Sequence, residues 1–164
     1  MRVLLCCLLA VAASTTLAPT SEDLRRMYGP STDVAMRRDG MPNSESFLLP
    51  PNIKLAAQYG SDKQACTLTL EPGPPSSDHQ KDGEQLMSPV RISEILEQVA
   101  PADKRGEKPL WSSRIDCAGS VGIWVDNYAN VYIRHDIRCE EEGLSPEKRV
   151  RVSFKREVCP KFEH

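Results

Sequence analysis

From residue 52 onward the chain alternates apolar and polar side chains with a period of two, interrupted by turn residues. In 52–59, Ile53, Leu55, Ala57 and Tyr59 alternate with Lys54, Ala56 and Gln58. Gly60-Ser61-Asp62 supplies turn chemistry, and Cys66, Leu68 and Leu70 then alternate with Thr67 and Thr69. Two period-two runs around a short polar turn predict a β-hairpin. Further on the period changes. Ile92, Ile95, Leu96 and Val99 fall at i, i+3, i+4 and i+7, one stripe of a helix. Ser88 supplies an N-cap and Pro89 a first-turn residue whose missing N–H costs little. Pro101 ends the run.

The last third returns to alternation. Trp111, Ser113, Ile115 and Cys117 are predicted to share one strand face, and 121–125 is apolar throughout. In 130–139, Val131, Ile133, His135, Ile137 and Cys139 alternate with Tyr132, Arg134, Asp136 and Arg138. In 149–158, Val150, Val152, Phe154 and Val158 are predicted inward, with Arg149, Arg151, Ser153, Lys155 and Glu157 outward. The pattern predicts an α+β fold: an antiparallel sheet of about five strands, with one helix packed across one face and disulfides as staples.

The flanks read differently. Arg2, the apolar run Val3 to Ala13 and the small residues ending at Ala18 have the order of a signal peptide, here residues 1–18, too short to span a bilayer. Residues 19–51 hold no sustained period, and Pro50-Pro51 halts the cluster Phe47-Leu48-Leu49, which predicts a flexible leader. A single domain is expected over 52–160, with an exposed linker at 71–87 rich in proline and glycine, and a tail at 161–164. The expected location is exported, periplasmic or secreted, with no stable membrane span once the signal is removed.

The cysteines add a constraint. Of six, Cys6 and Cys7 fall in the signal, leaving Cys66, Cys117, Cys139 and Cys159. An even count behind an export signal reads as two disulfides. Cys117 with Cys139 is the local pairing, which leaves Cys66 with Cys159; four cysteines allow three pairings. No CxxC or CxxH spacing suits zinc, so neither a metal nor a cofactor is expected.

Charge excludes more than it identifies. The net charge is −2, and without Arg2 there are 20 Lys and Arg against 23 Asp and Glu. Neither half carries the positive excess that would hold nucleic acid. The outward row Tyr132, Arg134, Arg138, Arg149, Arg151 and Lys155 is the candidate patch for an anion or partner, either an unknown protein or an anionic envelope polymer. The alternative is an ordinary solvated sheet face. His135 is the candidate base of a small hydrolase beside Asp116, Asp126 or Asp136, though no motif supplies a positioned nucleophile and no catalytic residue is assigned. Trp124 near Tyr128 would make a stacking platform if exposed. Loops at 71–85 or 126–130 would serve a secreted inhibitor-like module.

Tyr59-Gly60, Ala65-Cys66-Thr67-Leu68-Thr69-Leu70-Glu71-Pro72, the helix start Leu86-Met87-Ser88 and the ending Val152-Ser153-Phe154-Lys155-Arg156-Glu157-Val158-Cys159-Pro160 together resemble small exported bacterial cysteine-containing proteins of no described function. The resemblance implies one domain and a recurring cysteine frame, and it carries over no catalytic or binding residue. The expectation is thus an exported, disulfide-stabilised, non-enzymatic domain that binds a partner or a component of the cell envelope.

Overall fold

Thr20 opens the first helix through a capping box. Its hydroxyl accepts from the Asp23 N–H, and the Asp23 carboxylate accepts from the Thr20 N–H. The Thr20 bonds outweigh partial burial and hold the Asp23 carboxyl below the usual carboxylate range. The computed structural model describes residues 18–74, 87–106, 111–115, 121–138 and 147–159. Helix α1 (Ser21–Tyr28) leads into strands β1 (Asp33–Met36), β2 (Pro42–Leu49), β3 (Ile53–Tyr59) and β4 (Ala65–Pro72). Helices α2 (Pro89–Val99) and α3 (Ala102–Arg105) precede β5 (Trp111–Ile115), β6 (Val121–Asn127), β7 (Val131–Arg138) and β8 (Glu147–Phe154).

All eight strands form one antiparallel sheet in the order β1-β2-β3-β4-β8-β7-β6-β5. Among the described residues, α1 therefore leads into one four-strand meander and α2 and α3 lead into a second. The two fourth strands meet at the centre, with Thr67 opposite Ser153 and Leu70 opposite Val150. The two meanders also share a register break. One extra residue, Cys66, bulges from the start of β4 where Gln58 and Tyr59 pair with Thr67 and Ala65. Lys148 bulges from the start of β8 where Asp136 and Ile137 pair with Arg149 and Glu147. Such bulges re-aim side chains. The first one carries the disulfide: Cys66 is bonded to Cys159, with the Cα atoms 5.4 Å apart.

Both longer helices lie on one face. Leu24 of α1 and Ile92, Ile95, Leu96 and Val99 of α2 join Phe47, Leu55, Leu68, Ile133 and Val152 in a single buried cluster. The Tyr28 hydroxyl donates to Gln98 Oε1 at 3.0 Å and ties the two helices together. Burial pushes the Tyr28 phenol up to about 12, against the lowering effect of Arg91. The opposite face of the sheet is covered by no described element.

The expected five strands and one helix are corrected to eight strands with three short helices among the described residues. The stretch expected as a flexible leader, 19–51, instead forms α1, β1 and β2. Its sequence hid this because α1 buries only Leu24, β1 is exposed at all four positions, and β2 turns a carboxylate, Glu45, into the core. Strand β5 is flipped from its expected phase. Trp111 and Ser113 pair with Asn127 and Val125 on the helix-free face, and Trp111 is 44% exposed. Val158, expected inward, follows the end of β8 and is exposed. Within the expected 71–87 linker, β4 continues to Pro72 and Met87 is buried. Residues 1–17, 75–86, Cys117, Cys139 and the 161–164 tail lie outside the described residues.

Candidate functional site

The register fixes what the helix-free face presents. One row runs Trp111, Asn127, Tyr132, Ser153, Thr67, Gln58, Ser44 and Ala35. The next runs Ser113, Val125, Arg134, Arg151, Thr69, Ala56, Ser46 and Asp33. A third carries Ile123, Asp136 and Arg149, with Glu71, Lys54 and Leu48 continuing it on β4, β3 and β2. Period-two side-chain geometry puts all of these on one side of the pleat.

Four of the six residues of the sequence-derived patch, Tyr132, Arg134, Arg149 and Arg151, thus stand on neighbouring positions of β7 and β8. Lys155 lies at the upper edge, where its ammonium donates to Asn127 Oδ1 and the Tyr128 carbonyl. Arg138 has the same strand parity, and its side chain lies outside the described residues.

Charge on this face is mixed. Arg134 Nε donates to Asp136 Oδ1 at 2.7 Å. Glu71 takes Lys54 at 3.3 Å and Arg149 at 3.8 Å. Arg151 has no acidic partner among the described residues. It stands between Arg134 and Thr69 in its row. These pairs are partly exposed, so each contributes about 0–1 kcal/mol to stability. Small residues below them are buried: Val125 at 6%, Thr67 at 7% and Ser153 at 1% exposure, with the Ser153 hydroxyl lacking a described partner.

His135 points to the other face, toward the helices. Its Nδ1 lies 2.9 Å from Glu147 Oε2, a partner that strand pairing through the β8 bulge brings into reach. None of the expected partners fills this role. Asp136 is on the opposite face with Arg134, Asp126 accepts from the Ser112 hydroxyl at 2.5 Å, and Asp116 lies outside the described residues. Among the described residues no serine or cysteine shares the His135–Glu147 contact. Trp124, opposite His135, is 43% exposed beyond the helices. Among the described residues no group of three or more His, Cys, Asp or Glu side chains gathers to hold a metal. No described helix is long and apolar enough to cross a membrane.

Sequence reading missed Leu48, Lys54 and Glu71 as members of this face. The alternation of 52–59 marks Lys54 as outward, but only the β4–β8 pairing puts it in line with Arg149. That pairing joins residues 80 to 86 apart in sequence and leaves no local signal.

No family model matches the chain, and no curated protein matches it. Among solved structures it is similar to the crystal structure of a DUF4309 family protein (YjgB) from Bacillus subtilis subsp. subtilis str. 168. The two share 9% identity over 83% of this chain and 78% of the other, with a TM-score of 0.39. A likeness this slight carries no argument about activity.

Proposed function

We propose that this chain is an exported, disulfide-stapled, non-enzymatic binding domain whose helix-free sheet face docks an acidic segment of a partner protein. One observation carries the reading: Arg134, Arg149 and Arg151 stand side by side on β7 and β8, on a face that no described element covers. Guanidinium groups at such spacing suit carboxylates, which they grip through paired N–H donors. The acids Asp136 and Glu71 on the same face favour a protein, with its mixed charges, over a uniformly anionic polymer. Trp111 and Tyr132 on that face are of the types enriched at protein interfaces. Export rests on the order of the N-terminal signal and on the cysteines.

Polyglutamate and polyphosphate, compared as probes at low and moderate salt, test this. Polyglutamate binding that weakens with salt, and falls about tenfold in Arg151→Glu, supports the reading. Binding unchanged by Arg134→Glu and Arg151→Glu together, or polyphosphate bound while polyglutamate is not, overturns it.

A further inference from the structure

We infer that the cavity at the lower end of β2, β3 and β4 receives an aliphatic anchor residue from the same acidic partner segment, an inference that rests on the docking reading above. The cavity is about 510 Å³ and lies between Thr32-Asp33, leading into β1, and the strap Pro72-Gly73-Pro74. Leu48, 46% exposed, and the two prolines give it apolar walls, and Lys54 and Glu71 form its rim. Lys54 is engaged by Glu71 at 3.3 Å, so the rim offers no cation for a second acid. The apolar wall therefore decides what enters.

The strap is built to stay in place. The Gly73 N–H donates to the Asn52 carbonyl at 2.8 Å, and Asn52 Nδ2 donates to the Pro74 carbonyl at 3.1 Å. A Cβ on Gly73 would stand 2.2 Å from Asn52 Oδ1, so only glycine permits this approach. A pocket that is formed before binding loses little to ordering when an anchor enters.

Its position sets the partner's pattern. Leu48, Lys54, Glu71 and Arg149 follow one another across β2, β3, β4 and β8. Three strand spacings separate the first from the last, about 14 Å. An extended chain covers that distance in about four residues. Among the described residues Arg149 is held only by the 3.8 Å contact to Glu71, and Arg151 is next to it on β8. The partner is thus an extended segment with an aliphatic residue about four positions from an acidic one.

Amide-resolved NMR titration of the full disulfide-bonded chain tests this with three acetylated, amidated peptides: Leu-Ser-Gly-Ser-Glu-Glu, the same peptide with Ser for Leu, and the same with Gln for both Glu. The leucine peptide is expected to shift the Leu48 and Gly73 amides and to bind about tenfold tighter than the serine one. Leu48→Lys should remove that advantage, read as the ratio of the leucine and serine peptides' affinities for the same variant. A serine peptide that binds as tightly as the leucine one, with Arg149→Glu weakening both, overturns the anchor and leaves the docking face standing. Binding of neither acidic peptide, or binding unaffected by glutamine in place of glutamate, overturns both. Gly73→Ala is a second variant that disturbs the pocket wall without touching the arginines. Leucine selectivity that persists in it and in Leu48→Lys overturns the pocket assignment.

Discussion

Tyr59 donates its hydroxyl to Glu45 Oε2 at 2.7 Å inside the core, where Glu45 is 1% exposed. Both residues belong to the helix-side face, on β3 and β2. Arg25 of α1 reaches the other carboxylate oxygen, so one buried acid fastens the first helix to the sheet. Burial opposes charge on Glu45, but bonds from Ser21, Tyr59 and Arg25, with the Arg25 charge, outweigh it and hold the carboxyl below its usual range. Burial and the same carboxylate push the Tyr59 phenol far up.

Tyr59→Phe should lower stability by about 1.5–3 kcal/mol, since it removes a hydrogen bond to a charged group and leaves the ring in place. Urea unfolding at neutral pH measures this. Glu45 has a folded value below its unfolded one. Its contribution is therefore complete above about pH 4.5 and is lost as pH falls through the folded value. The stability gap between wild type and Glu45→Gln should narrow on acidification through that range. A gap that widens would contradict the assignment.

The same acid explains why the first third of the fold was hard to read. In β2 the inward positions are Glu45, Phe47 and Leu49, so a carboxylate stands where alternation demands an apolar residue. By contrast, the hairpin of β3 and β4, the Ser88–Pro89 helix start and the two faces of β7 are local patterns, and the structure has them where sequence puts them. Trp111 fails for another reason. It lies on the edge strand β5, and at this end of the sheet both tryptophans stay exposed, Trp111 on the helix-free face and Trp124 of β6 on the other, so alternation there does not report burial. The patch on β7 and β8 was visible as two outward rows. Its extension to Leu48 depends on a central pairing that no local signal encodes.

The Cys66–Cys159 bridge closes a separation of 93 residues and ties β4 to the segment after β8. Arg156 strengthens the same junction, donating to the Ala65 carbonyl at 3.0 Å and pairing with Asp62. The double variant Cys66→Ala, Cys159→Ala should lose about 4–5 kcal/mol by the loop-entropy argument. Thermal unfolding with and without reductant checks it. Wild type under reduction should approach the variant, and a variant as stable as oxidised wild type would refute the staple.

With Cys66 and Cys159 paired, Cys117 and Cys139 are the two left of the four cysteines that follow residue 18. Strand β6 lies between the strands that precede them: Ile115 pairs with Ile123, and Arg138 pairs with Val121. Non-reducing peptide mapping should recover two crosslinked peptide pairs, Cys66–Cys159 and Cys117–Cys139. Alkylation of Cys117 and Cys139 in unreduced, denatured protein would show free thiols and count against the second bridge.

Ala18 is fully buried, the Pro19 carbonyl accepts from the Ala65 N–H at 2.8 Å, and Thr20 pairs with Gln64. The described fold therefore includes Ala18, the residue that sequence pattern makes the last of the signal. A cut after Ala18 would delete a core methyl and set a charged proline amine beside the start of β4. Proline directly after the cut is itself a poor fit. Processing after Ala13, where Val11-Ala12-Ala13 supplies the small residues, keeps Ala18 in the core. The mature chain is expected to begin at Ser14. Intact-mass measurement of exported protein decides between the two, because the sites differ by five residues. A mass that places Pro19 first would show that the Ala18 contact is dispensable, and a chain engineered to start there should then be no less stable than one starting at Ser14.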